Sequence, residues 1–82
     1  MKVLYFWGSW CPVCKQMEQM LDSVVLSVPV TRVNVDRNPL LAMEYQVMGT
    51  PTFCLVDTDR QEIKRMVGAI SSKELRRFVG DN

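Results

Sequence analysis

Val3-Leu4-Tyr5-Phe6-Trp7-Gly8-Ser9-Trp10-Cys11-Pro12-Val13-Cys14 is the stretch from which the rest of the chain can be read. Val3 to Trp7 is a nearly continuous apolar and aromatic run that stops at Gly8, the pattern of a strand covered on both faces and therefore central in a sheet. After Trp10 the apolar residues Cys14, Met17, Leu21, Val24, Val25 and Val28 recur at three- and four-residue spacing, one face of a helix that Pro29 is expected to stop. Two cysteines three residues apart thus fall where a strand gives way to a helix. In a first helical turn, side chains at that spacing face the same way with Cβ atoms about 5–6 Å apart, near disulfide geometry after a small adjustment.

That position gives the pair its chemistry. The unpaired N–H groups and positive dipole end of a helix stabilise a thiolate, lowering a cysteine pKa below its ordinary value of about 8.5. Cys11, at the exposed start of the helix, is the expected nucleophile toward a substrate disulfide, and Cys14, one turn deeper, the expected resolving thiol. Pro12 lacks an N–H, which costs nothing at a helix start, and its restricted φ helps hold the turn. Lys15 adds positive charge beside the pair. Two other readings share these residues: cysteines that merely serve as small core hydrophobes, and a zinc site, for which the chain offers only Cys54 and carboxylates as further ligands.

Downstream, Val30, Val33 and Val35 alternate with polar residues as a second strand. Asn38 is placed to cap a helix with Pro39 at its first position, with Leu41, Tyr45 and Met48 on one side and Gly49 at its end. Thr52 to Val56 reads as a third strand, and Asp57-Thr58-Asp59-Arg60-Gln61 as a turn into a fourth from Glu62 to Val67. Ser71-Ser72-Lys73-Glu74 matches a capping box ahead of a last helix bearing Leu75, Phe78 and Val79, and Gly80-Asp81-Asn82 is expected to fray. The order strand, helix, strand, helix, strand, strand, helix predicts an α/β fold. Its early right-handed crossovers make a parallel core, and the hairpin adds an antiparallel strand, giving a mixed four-stranded sheet with three helices.

Composition narrows the function. Eighty-two residues form one domain, 1–82, with no room for a second core. A net charge of +1 supplies neither the basic stripe of a nucleic-acid binder nor an acidic tail. No apolar run approaches a membrane span and the short aromatic N-terminal stretch is unlike a signal peptide, so a cytoplasmic protein is expected. Three cysteines are too few and too oddly numbered for a disulfide scaffold, and the absence of histidine removes Cys-His catalysis and every His-containing zinc site. Cys54, in the middle of an apolar strand, reads as an inert core thiol, and Met17, Met20 and Met48 as gap-fillers, with a methionine-lined partner surface around Met48 as the other reading.

Four blocks in order resemble the thioredoxin family: Phe6 to Lys15 around the cysteine pair, Val33-Asn34-Val35-Asp36-Arg37-Asn38-Pro39, Tyr45-Gln46-Val47-Met48-Gly49-Thr50-Pro51-Thr52-Phe53, and Val67-Gly68-Ala69-Ile70-Ser71. The similarity covers nearly the whole chain and implies a thioredoxin-like fold. By that resemblance Pro51 is cis and faces a Cys11-Cys14 disulfide, and the Thr50 backbone pairs with an extended substrate. Trp7, Trp10, Gly68 and Ala69 complete the rim of the substrate groove. Read without the family, Pro51 is an ordinary trans proline at a strand edge and the tryptophans are core or scattered surface residues.

The chain departs from the family in three respects. It has no leading strand and helix, which matches the compact layout of glutaredoxins and some short archaeal redox proteins. Pro-Val stands between the cysteines where thioredoxins have Gly-Pro, and the proline-first order is again more like glutaredoxin. Tyr5 occupies the place of the buried aspartate that assists the resolving cysteine, so Cys14 is left to lose its proton to water, a substrate group or a carboxylate elsewhere. The expected function is a monomeric dithiol reductant that passes electrons from a reductase to protein disulfides with no metal or organic cofactor. A glutathione-dependent reductase, with Arg37, Lys15 and Arg32 as candidates to hold the tripeptide's carboxylates, and a redox-independent binding module are its rivals.

Overall fold

The computed structural model describes residues 1–81. It runs β1 (Lys2–Trp7), α1 (Pro12–Ser23), β2 (Val30–Asn34), α2 (Pro39–Glu44), β3 (Thr52–Val56), β4 (Glu62–Val67) and α3 (Ser72–Val79). The strands form one mixed sheet in the order β2-β1-β3-β4, with β1 central as its unbroken apolar run requires. Alternation along β1 splits the core in two. Val3 and Tyr5 join Met17 and Leu21 of α1, Phe53 and Leu55 of β3, and Leu75 and Phe78 of α3 on one face. Leu4 and Phe6 join Val33, Tyr45, Cys54 and Val56 on the other, beneath α2.

Strand direction departs from the expected parallel core. β1 and β2 are parallel, but β3 runs antiparallel to β1, with Phe6 opposite Thr52 and Lys2 opposite Val56. The reason is the short helix in the second connection. α2 has only six residues, about 9 Å of helix, and it does not carry the chain back along the sheet. The segment between β2 and β3 therefore leaves and re-enters at the same end, where Trp7 pairs with Asn34.

Two helices end sooner than their apolar spacing predicts. α1 stops at Ser23, six residues before Pro29, and Val24 is already extended at φ −79°, ψ 142°. Beyond it Val24, Leu26 and Val28 pack on the core while Val25 points outward, a period-two pattern that β-branched residues favour. α2 ends at Glu44, and Gln46 takes a left-handed φ of 52°. Met48 therefore does not share a helix face with Leu41 and Tyr45, and at 95% exposure it fills no gap. Nor does Asn38 cap α2 with its side chain: its Nδ2 donates to the Asn34 carbonyl, and Asn34 Oδ1 accepts from the Asp36 and Arg37 amides instead.

The capping box of α3 forms as its sequence predicts, with the Glu74 amide donating to Ser71 Oγ and the Ser71 amide to Glu74 Oε1. The expected fraying after α3 is not seen at Gly80 and Asp81; Asn82 lies outside the described residues. Gly80 closes the helix at φ 90°, and the Asp81 carboxylate accepts from Ser27 Oγ at 2.6 Å and from the Ser27 amide at 2.8 Å. Those Ser27 hydrogen bonds hold the Asp81 carboxyl below its ordinary pKa. A depressed folded-state pKa means that this tie stabilises the fold above the unfolded pKa and is lost as pH falls through the folded one. In an NMR titration Asp81 should protonate below the usual value of about 3.9, and Ser27→Ala should return it toward that value.

Candidate active site

One end of the sheet gathers the residues singled out by the sequence. β1 and β4 leave it there and β3 enters there, since Thr52 pairs with both Phe6 and Val67. Gly8 to Cys11, Thr50-Pro51 and Gly68-Ala69 are the three connections at that end. In the first, the Cys11 amide donates to the Gly8 carbonyl at 3.2 Å. The Trp10 indole lies so close to Gly8 that a Cβ there would stand 2.8 Å from the ring, so a side chain at this position would have to push the indole aside. Trp10 itself stays 64% exposed.

Cys11 is the N-cap of α1 and Pro12 its first residue, with no acidic side chain in the first turn to offset the dipole. Cys11 and Cys14 are joined as a disulfide with Cα atoms 5.3 Å apart, well inside the range for that bond. Cys11 is less exposed than its place in the sequence suggests: 7%, against 2% for Cys14. The turn packed around Gly8 and the helix start enclose the pair more than a bare helix end would. Lys15 is exposed beside them.

The other two connections are tied to each other and to α1. Thr50-Pro51 is a cis peptide, and the Gly68 amide, at a left-handed φ of 98°, donates to the Pro51 carbonyl at 2.8 Å. The Ile70 amide contacts Met17 Sδ at 3.5 Å, one turn below Cys14. Thr50 keeps a buried hydroxyl with no protein partner. Trp7, the last residue of β1, stands on the β2 side of this group. It is half-buried against the core and lines a groove toward β2 with Ser9, Glu18, Arg32, Asn34, Arg37 and Asn38.

Sequence reasoning missed what lies beneath the pair. The Tyr5 hydroxyl donates to the Cys14 carbonyl at 3.2 Å, and burial pushes its pKa up to about 12, with Glu18 raising it further and Arg32 opposing. Tyr5 is therefore a neutral donor at physiological pH. Arg32, opposite Tyr5 in the β1–β2 register, is bonded to Glu18 and, at 2.9 Å, to Asp22. The signal for this cluster was the spacing of Cys14, Glu18 and Asp22, four apart on one helix face. Arg37 lines the same groove as Arg32, whereas Lys15 does not.

Cys54 stays apart, fully buried on the α2 face, and burial pushes its thiol up to about 11, with Arg65 opposing and Glu62 adding. Iodoacetamide at neutral pH should leave Cys54 unmodified in the folded oxidised protein and label it once denaturant is added, as read by mass spectrometry. Among the described residues no three Cys, Asp or Glu side chains gather as a metal site, and no helix is long and apolar enough to cross a membrane.

A bridging cysteine pair at the positive end of a helix, seated on a mixed sheet beside a cis-proline connection, defines a thiol-disulfide oxidoreductase of thioredoxin-like fold. A family model described as thioredoxin matches residues 1–81, and the chain belongs to the thioredoxin family. It is 35% identical over 80 residues to thioredoxin of Mycobacterium tuberculosis, spanning 93% of this chain and 68% of that one. The same identity and span relate it to the bifunctional thioredoxin reductase/thioredoxin of Mycobacterium leprae, of which it covers only 17%. Among solved structures, oxidised mitochondrial thioredoxin 3 of Saccharomyces cerevisiae superposes with a TM-score of 0.77 at 30% identity, over 94% of this chain and 74% of that one. The protein is a thiol-disulfide oxidoreductase whose redox pair is Cys11 and Cys14.

Proposed function

We propose that residues 1–82 act as a single-domain, monomeric reductant of protein disulfides in the reducing interior of the cell, recharged by a thioredoxin reductase. In this reading Cys11 attacks the substrate disulfide and forms a mixed disulfide, and Cys14 displaces the substrate thiolate. The observation that carries it is the placement of Cys11 as N-cap and Cys14 one turn on, at a helix end that favours the thiolate. Pro12 holds the helix start and Lys15 adds positive charge. Trp10, Thr50, Pro51, Gly68 and Ala69 form the substrate's seat, where the loops tied by the Gly68 to Pro51 hydrogen bond meet α1. The Thr50 backbone pairs with an extended substrate strand. Trp7, packed on the core, acts structurally.

The reductase as electron source is supported by the Mycobacterium leprae relative, whose name joins thioredoxin reductase to thioredoxin in one chain. The deciding assay follows insulin disulfide reduction with NADPH and thioredoxin reductase in one arm and with glutathione and glutathione reductase in the other. Turnover in the first arm alone is the expected result. Turnover in the second alone would replace this reading with a glutathione-dependent one, and an undiminished partner interaction after both cysteines are changed to serine would replace it with a binding module.

A further inference from the structure

A reductant of this kind needs a group that takes the proton of its resolving thiol, and the residue beneath Cys14 cannot do so. Tyr5 is a phenol held protonated by burial, and its hydrogen is already committed to the Cys14 carbonyl. Position 18 is different. A helical side chain lies over the turn on its N-terminal side, so Glu18 on α1 covers the turn that begins at Cys14. Arg32, reaching over from β2, bonds the Glu18 carboxylate and anchors it there together with Asp22. The Glu18 side chain remains 28% exposed and forms part of the wall of the open groove shared with Trp7, Ser9 and Arg37, so protons have a route to solvent.

From this arrangement we propose that Glu18 is the proton acceptor for Cys14, so that the acid serving the resolving step stands on the first helix and not on the strand below it. The proposal rests on the reading of Cys14 as the resolving thiol. In the mixed disulfide, Cys11 Sγ is bonded to a substrate sulfur and Cys14 is a thiol. The Cys14 proton passes to the Glu18 carboxylate, directly or through one water, while the Cys14 sulfur pair forms the bond to Cys11 Sγ. The bond between Cys11 and the substrate sulfur breaks, and its electron pair leaves with the substrate thiolate. Glu18 then returns its proton to solvent through the groove, so the protein gains the disulfide and the substrate gains the two electrons. The charged and titratable groups around Glu18 are Lys15 and Asp22 on its own helix, Tyr5 on β1, Arg32 on β2 and Arg37 ahead of α2.

The test separates the two sulfur steps. Reduced protein is mixed in a stopped-flow instrument with an aromatic disulfide chromogen, which releases one coloured thiolate on attack by Cys11 and a second on resolution by Cys14. Glu18→Gln should leave the first release within about twofold of the parent and slow the second about 100-fold at neutral pH, the scale of a lost general base. The deficit should shrink as pH rises past about 8.5, where a thiol ionises unaided. Asp59→Asn, which removes an exposed carboxylate from the turn between β3 and β4 at the other end of the sheet, should change neither phase, and Glu18→Asp should restore part of the second. A second release slowed by the same factor at every pH, or not slowed, would overturn the role of Glu18. Loss of the first release in the parent protein would instead strike at Cys11 as nucleophile, so the two failures are distinguishable.

Discussion

Serine in place of Cys11 is expected to reduce protein-disulfide reduction to the uncatalysed rate, whereas serine in place of Cys14 should leave Cys11 covalently joined to its substrate. The two variants differ because the two sulfurs do different work. Only a thiolate attacks a disulfide at useful rates near neutral pH, and Cys11, as N-cap with Pro12 behind it, stands at the helix end that stabilises one. Cys14 is needed only afterward, to expel the substrate. Insulin reduction should therefore vanish in both variants, but mass spectrometry after a single addition of substrate should find an adduct only with Cys14→Ser. An adduct with Cys11→Ser, or turnover surviving in it, would reverse the assignment of attacking and resolving thiols.

Phe53→Ala should bring the protein close to unfolding. Phe53 is fully buried as the second residue of β3, and its ring lies 5.0 Å from that of Tyr5 in the core facing α1 and α3. Deleting a buried phenylalanine ring costs about 3–5 kcal/mol through lost transfer energy and the cavity left behind. A domain of this size has roughly 4–12 kcal/mol of stability in all. The melting temperature should fall by about 15–30 °C and the urea midpoint with it. The same cavity opens beneath Tyr5, whose hydroxyl supports the Cys14 carbonyl, so redox turnover should weaken below the new melting point as well. A loss of under about 1 kcal/mol would mean that Leu55, Leu75 and their neighbours close the gap, and that the core is more plastic than its burial implies.

Each element of the redox motif was legible because its logic is short-range. The Val3 to Trp7 run needs only two covered faces, the three-residue spacing of Cys11 and Cys14 needs only a helical turn, and the Ser71 to Glu74 capping box closes on itself. Helix ends were less legible. Val24, Leu26 and Val28 satisfy both a helical and an alternating reading in part, and the choice fell to which gave them a core to face. The apolar spacing places Met48 on a helix side that the left-handed turn at Gln46 removes.

The chain by itself determined the strand–helix junction, the cysteine pair at the positive helix end and the α/β class, because propensity, periodicity and dipole act over one or two turns. The tertiary structure alone decided three other things. It set the antiparallel direction of β3, which depends on how far a six-residue helix can carry the chain. It enclosed Cys11 at 7% exposure, which depends on the turn built on Gly8 and Trp10. It also brought Tyr5 of β1 to the Cys14 carbonyl and Arg32 of β2 onto Glu18 of α1. Contacts between elements are fixed by the sheet register and by which faces must be buried together, and no local spacing records either.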